Sequence, residues 1–223
     1  VTARFTLFAT TLCLAIPHGA RAVQQHADHG LKLPALLSEA EEIRLARSAA
    51  PPQVSANATV WVLHRGGHVK VKEGSNGVNC IVQRDHPESV YPLCYDAEAS
   101  RTILPIALLE SKLREAGRTG AEIDRAIDAG IASGELKLPQ GTAMAYMQSP
   151  GQVIFAGAEG PRVGTWRPHV MFYIPNATAE KLGFGATEPP GITINEAGRP
   201  TAHLIIVTPL WSDGRPGPAL AAS

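Results

Sequence analysis

Two histidines carry the chemistry this sequence can be read for. His169 opens the run Val170-Met171-Phe172-Tyr173-Ile174, and His203 opens Leu204-Ile205-Ile206-Val207. Runs that are apolar on both faces belong to strands inside a sheet. An imidazole at the mouth of such a strand is partly desolvated and held by a rigid element, which suits a ligand contact or an acid/base role. The plainer alternative is a core histidine bonded to a backbone carbonyl. Geometry separates the metal readings. In directly paired antiparallel strands the two opening residues lie at opposite ends, on the order of 15 Å apart, too far for one ion. Parallel strands, or strands offset around a barrel, let the rings converge. His169-x-Met171 then places a nitrogen and a soft sulfur on one strand face, a pairing that favours copper. His64, His169 and His203 together suit zinc with an open position. Met171 also reads simply as core packing.

Other reactive residues are scattered. Asp96 and Glu196 are the acids that can orient a catalytic histidine, and Glu188 is a further isolated carboxylate. Ser75 and Ser149 sit on turns and become nucleophiles only where the fold brings a histidine to them. No G-x-S-x-G elbow, H-E-x-x-H helix or phosphate-cradling glycine loop occurs. His26 and His29 lie near the expected mature N-terminus; a copper(II) amino-terminal motif needs histidine third, and His26 falls fourth. Cys80 and Cys94 lack C-x-x-C spacing, which points to a structural disulfide. Closing a loop of about 15 residues is worth roughly 3 kcal/mol in the chain-entropy picture.

The compartment follows from the first residues. Arg4, the apolar run Phe5 to Ile16 and Ala20-Arg21-Ala22 read as a signal peptide over 1–22, too short for a membrane span. Val1 fits an alternative start codon, hence a bacterial gene. Cleavage removes Cys13, whose preceding Leu12 does not fit lipoprotein processing, and leaves 201 of 223 residues. The mature protein, expected in the periplasm or outside the cell, then carries 18 basic and 20 acidic residues, about −2 with histidine neutral. That balance offers nucleic acid no bulk attraction. No second long apolar run follows, so no membrane span is expected after cleavage. The composition, 44% hydrophobic and 18% charged, is that of a soluble globule.

The elements that must position these residues are read from periodicity. Residues 23–34 form a loose N-terminal segment, 35–211 a single globular domain, and 212–223 a frayed tail. Ser38 and Glu41 make a capping box that opens a helix ended by Pro51-Pro52. Thr59 to Arg65 and His68 to Lys72 read as a hairpin turning on Gly66-Gly67, followed by a strand over Val78 to Gln83. This puts Val60, Val62, His64, Val69 and Val71 on one face. Trp61, Leu63, Arg65, His68, Lys70 and Lys72 lie on the other, where the basic residues form a solvated surface. A helix starting at Pro105 and ending at Gly117 is followed by another, capped by Thr119 and Glu122 and striped by Ile123, Ile127 and Ile131. The second helix carries Glu122, Asp124 and Asp128 against Arg125, which argues against DNA. Strands return over Thr142 to Met147 and Gln152 to Ala156, joined by Pro150-Gly151, then over His169 to Ile174, Ile192 to Ile194 and His203 to Val207. The expected class is α+β: a mostly antiparallel sheet or open barrel, with an αα-hairpin packed on one face.

Four strings, Asn76-Gly77-Val78-Asn79-Cys80, Cys94-Tyr95-Asp96, Pro168-His169-Val170-Met171 and Ala202-His203 through Pro209, resemble those of a group of exported bacterial hypothetical proteins. The resemblance spans most of the mature domain and implies a recurring exported domain, with no activity attached. The functional expectation is therefore a metal ion (copper or zinc) or small ligand bound near His169 and His203. The alternatives are an enzyme of hydrolase or lyase type using those histidines as general acid and base, or an interaction module without a chemical site.

Overall fold

Residues 33–155, 161–185 and 188–219 are described by a computed structural model. The expected signal peptide over 1–22, His26, His29 and residues 220–223 lie outside them. The chain runs α1 (Glu39–Arg47), α2 (Pro52–Ser55), β1 (Thr59–His64), β2 (Gly67–Lys72), β3 (Asn79–Gln83), β4 (Tyr91–Tyr95), α3 (Ala97–Glu115), α4 (Gly120–Ser133), β5 (Ala143–Met147), β6 (Ile154–Phe155), β7 (Arg162–Gly164), β8 (His169–Tyr173), β9 (Ile192–Asn195) and β10 (His203–Val207). Eight strands form one open sheet in the order β2-β1-β3-β4-β5-β8-β10-β9, while β6 and β7 pair separately. Every pairing is antiparallel except β1 with β3. The class is α+β and the sheet does not close into a barrel.

The single parallel pairing has a local cause. After β2 the chain must cross the start of β1 to reach its far side, and it does so at Gly74. A Cβ there would lie 2.2 Å from the backbone nitrogen of Thr59, so only glycine lets the two backbones pass. The Gly74 amide then donates to the Thr59 hydroxyl at 2.9 Å. The turn of the β1–β2 hairpin falls on Arg65-Gly66 rather than Gly66-Gly67, since His64 faces Gly67 and Leu63 faces His68. Moving the turn by one residue shifts both strands together, so the expected division of side chains between faces survives. The basic face is only partly solvated. Arg65 reaches Glu115 of α3 at 2.9 Å. His68 tucks its Nε2 3.1 Å from the Val82 carbonyl oxygen, and burial lowers its pKa to about 4.

Alternation along the strands builds two cores. Ile81, Leu93, Tyr95, Ala143, Ala145 and Met171 face α3, where Ala99, Ile103, Leu104 and Ala107 meet them. Val60, Cys80, Val82 and Cys94 face the other way, onto Ala46, Ala49 and Ala50 in and just after α1. Helical cover therefore lies on both faces, four helices in all among the described residues, where cover on one face was expected. α4 packs on α3 through Ile106, Ile123, Ile127 and Leu136. α1 has the expected Ser38–Glu41 capping box and α4 the expected Thr119–Glu122 one. α3 begins at Ala97, eight residues before the expected start, so Pro105 sits inside it. The cap at Asp96 outweighs the one internal hydrogen bond that Pro105 forfeits.

One expectation is met, and two further differences matter. Cys80 and Cys94 stand directly opposite each other on β3 and β4 and form the disulfide. Pro150-Gly151 does not make a hairpin, because β5 pairs with β4 and β8 and leaves β6 to β7. The segment expected to fray from Ser212 is held at its start: the Ser212 hydroxyl donates to the Ser48 carbonyl at 2.5 Å, and Trp211 beside it is buried. Among the described residues no helix is long and apolar enough to cross a membrane.

Candidate functional site

α3 packs mainly on β2, β3, β4 and β5. On that face β8, β10 and β9 continue beyond the helix, and a hollow of about 670 Å³ opens between them and the α3–α4 wall. That volume lies within the range of small-molecule sites. Met147, Met171, Tyr173 and Ile205 contribute to the floor, Ile103, Ala107, Ile123 and Ile127 to the wall, and Phe155, Val163 and Trp166 to the β6–β7 end. His169 and His203 both line it.

The strand register explains why they share it and why they do not meet. His203 stands opposite Tyr173, and His169 opposite Val207. Residues directly opposite point to the same side, and so do alternate residues along a strand. His169, Met171, Tyr173, His203 and Ile205 therefore all face the hollow, with the two histidines four residues apart along the strand direction, roughly 14 Å between Cα positions. The antiparallel arrangement is the one in which no single ion joins them.

Each ring is oriented by its own chain two residues back. His169 is 2% exposed, and its Nδ1 donates to the Arg167 carbonyl at 2.7 Å. Gln152, fully buried, donates its side-chain amide to the Trp166 carbonyl at 3.1 Å and the Arg167 carbonyl at 3.4 Å, which fixes that backbone. Trp166 meets the His169 ring edge-on with centroids 4.7 Å apart. His203 repeats the pattern: Nδ1 donates to the Thr201 carbonyl at 3.0 Å, and the ring lies 5.1 Å from that of Tyr173. With Nδ1 carrying the proton, Nε2 is left as an acceptor on each ring; this tautomer is assigned from the carbonyl bonds. Nε2 of His203 has Asn195 Nδ2 at 3.4 Å.

Burial keeps both rings neutral. It drives the His169 pKa from 6.5 down to about 4, against the opposing pull of the Arg167 carbonyl, with a smaller repulsion from His203. Burial likewise lowers His203, opposed by the Thr201 carbonyl and by Glu196. The folded protein then binds fewer protons than the unfolded chain between pH 6.5 and 4, so stability falls as pH drops through that window. His169→Gln should flatten that part of the acid limb in denaturation curves taken from pH 7 to 4, His68 and His203 retaining the remainder. An acid limb identical to that of the wild type would show that His169 is not charged on unfolding in the way its burial demands.

The remaining candidates are dispersed. Met171 is buried between the histidines and joins the apolar core, on the same face as His169. His64 corrects the zinc reading: it is exposed at the end of β1, on the Val60 face that packs on α1, and does not line the hollow. Among the described residues no three His, Cys, Asp or Glu side chains gather as a metal site. Asp96 does not orient a histidine; its carboxylate caps α3, accepting from the Ala99 amide at 2.7 Å. Glu196 does line the hollow, exposed at the rim in a turn with φ +52°, close enough to His203 for its charge to be felt. Glu188 accepts from the Ile194 amide at 2.8 Å, and Ser149 is buried against the Ser48 hydroxyl at 2.6 Å.

A polar group in the wall escaped the sequence reading. Glu110 of α3 accepts from Gln83 at 2.8 Å and from Arg114 at 2.8 Å, and the Tyr95 hydroxyl donates to Gln83 at 3.4 Å. Burial pushes the Glu110 carboxyl up while Arg114 pulls it down. The i,i+4 spacing of Glu110 and Arg114 was visible in the sequence; their partners come from other strands and left no local sign. At the opposite rim Arg199 reaches Asp128 at 3.4 Å and Asp124 at 3.6 Å, tying the β9–β10 connection to α4. No protein-family model, curated protein or solved structure matches this chain.

Proposed function

We propose that this is an exported binding protein that holds a small, largely apolar organic ligand in the hollow between β8, β10, β9 and the α3–α4 wall. The observation that carries the reading is the cavity of about 670 Å³ itself, floored by apolar strand residues and edged by two buried imidazoles. The Cys80–Cys94 disulfide supports work in an oxidising compartment. A general acid and base acting on one atom would have to stand within hydrogen-bond reach of it together. His169 and His203 instead sit at opposite ends of a strand pair with Nδ1 tied to a carbonyl, which favours binding over catalysis.

The test uses 1-anilinonaphthalene-8-sulfonate, an apolar fluorescent probe, with the folded protein. Saturable one-to-one binding is expected. Ile205→Trp, which projects an indole into the hollow from a half-buried strand position, should weaken it at least tenfold, about 1.4 kcal/mol, without lowering the melting temperature. Equal binding by this variant and the wild type would move the probe site elsewhere and end the proposal.

A further inference from the structure

We infer that the ligand is an elongated molecule with a hydrogen-bond donor, a hydroxyl or N–H, at each end, lying along β8 and β10 between Nε2 of His169 and Nε2 of His203. The inference rests on the cavity reading and adds the polarity and shape of the occupant. Its basis is the pairing of two like groups. Both imidazoles open a strand, both donate Nδ1 to the carbonyl two residues earlier, at 2.7 and 3.0 Å, and both line the same hollow. His169 is 2% exposed overall and lines the hollow, and no hydrogen bond to its Nε2 is made among the described residues. An occupant that displaces solvent from this acceptor without supplying a donor leaves it unpaired, which is costly, so one that brings a donor is favoured.

The floor between the two rings is Met171 and Ile205, which face each other across β8 and β10 and offer no hydrogen bond. A molecule that satisfies both ends must therefore be apolar in its middle and long enough to follow about four residues of strand. A carboxylate at the His169 end would meet a lone pair instead of a donor. The His203 end is slightly different, because Asn195 Nδ2 lies 3.4 Å from Nε2. A hydroxyl fits there best: it can donate to the imidazole and accept from the amide. The neutral state of both rings at pH 7 follows from their burial and keeps the two acceptors available.

Four probes of one skeleton test this by calorimetry: trans-stilbene, 4-hydroxystilbene, 4,4′-dihydroxystilbene and 4,4′-dimethoxystilbene. The diol should bind five- to tenfold tighter than the mono-ol, and the mono-ol similarly tighter than stilbene. The dimethoxy compound, which accepts but cannot donate, should fall at or below stilbene. His169→Phe and His203→Phe should each reduce the diol to the affinity of the mono-ol, and the wild-type comparison of diol with dimethoxy stands even where a variant fails to fold. Stilbene or the dimethoxy compound binding as tightly as the diol overturns the donor inference and leaves the cavity reading intact. No binding by any of the four overturns both.

Discussion

Arg84→Met should cost about 3–5 kcal/mol of unfolding free energy, the largest single-residue effect expected in this protein. Arg84 Nη2 lies 2.6 Å from Glu42 Oε2, with side chains only 4% and 1% exposed, between α1 and the end of β3. A second guanidinium nitrogen donates to the Ser89 carbonyl at 3.3 Å. Removing Arg84 strands a carboxylate in the interior, and that stranded charge is the source of the loss. The double variant Glu42→Leu/Arg84→Met should regain most of it, since neither partner is then left unpaired. Burial already raises the Glu42 carboxyl above its ordinary value, and Arg84 is the principal opposing influence. Without Arg84 the folded state holds the Glu42 proton still more tightly than the unfolded chain does. Stability then falls as pH rises above the ordinary carboxylate range, so the deficit should be smaller at pH 4 than at pH 7. Urea denaturation at both pH values reads this directly. A deficit below 1 kcal/mol, or a double variant as weak as the single one, would mean water reaches the pair.

The second large effect is loss of the Cys80–Cys94 bridge. It joins β3 to β4 with a sequence separation of 14, for which the chain-entropy picture gives about 3 kcal/mol. In a domain of this size that lowers the melting temperature by roughly 6–12 °C. Cys80→Ala/Cys94→Ala should melt at the temperature of the reduced wild type and show no response to reductant. Both cysteines face α1, on the side of the sheet away from the hollow. Binding of 1-anilinonaphthalene-8-sulfonate by the folded fraction, where the proposed site exists, should therefore be unchanged. A double variant that melts with the oxidised wild type would assign the bridge no part in stability.

Much of the architecture was legible because it is written locally. Ser38–Glu41 and Thr119–Glu122 are capping signals within four residues of each other, and both helices begin there. β10 spans His203–Val207 as its apolar run indicates, and β8 ends one residue short of the expected Ile174. The disulfide followed from two cysteines and a compartment. What was hidden depends on distant partners. Strand β4 carries Pro92, which argues against an internal strand. It is tolerated because pairing with β5 extends only over Cys94 and Tyr95, leaving no demand for an amide at Pro92. The true start of α3 was masked by Pro105, a residue that so often begins a helix. The candidate site was half legible. His169 and His203 were visible as openers of buried strands, and the direct antiparallel pairing was one of two geometries the sequence left open. Their common side, Gln152 behind His169 and Glu110 across the hollow depend on strand order, which no local pattern encodes.

The length of α3 has one more effect. Because the helix lies mainly over β2 to β5, the same sheet face is divided between a tightly filled region and an open one. Exchanges at Thr193 or Val163, which line the hollow and are not part of that filled cluster, displace few neighbours. If the hollow binds a ligand as proposed, selection can alter its preference at these positions while the scaffold keeps its shape, and the two properties are free to evolve at different rates.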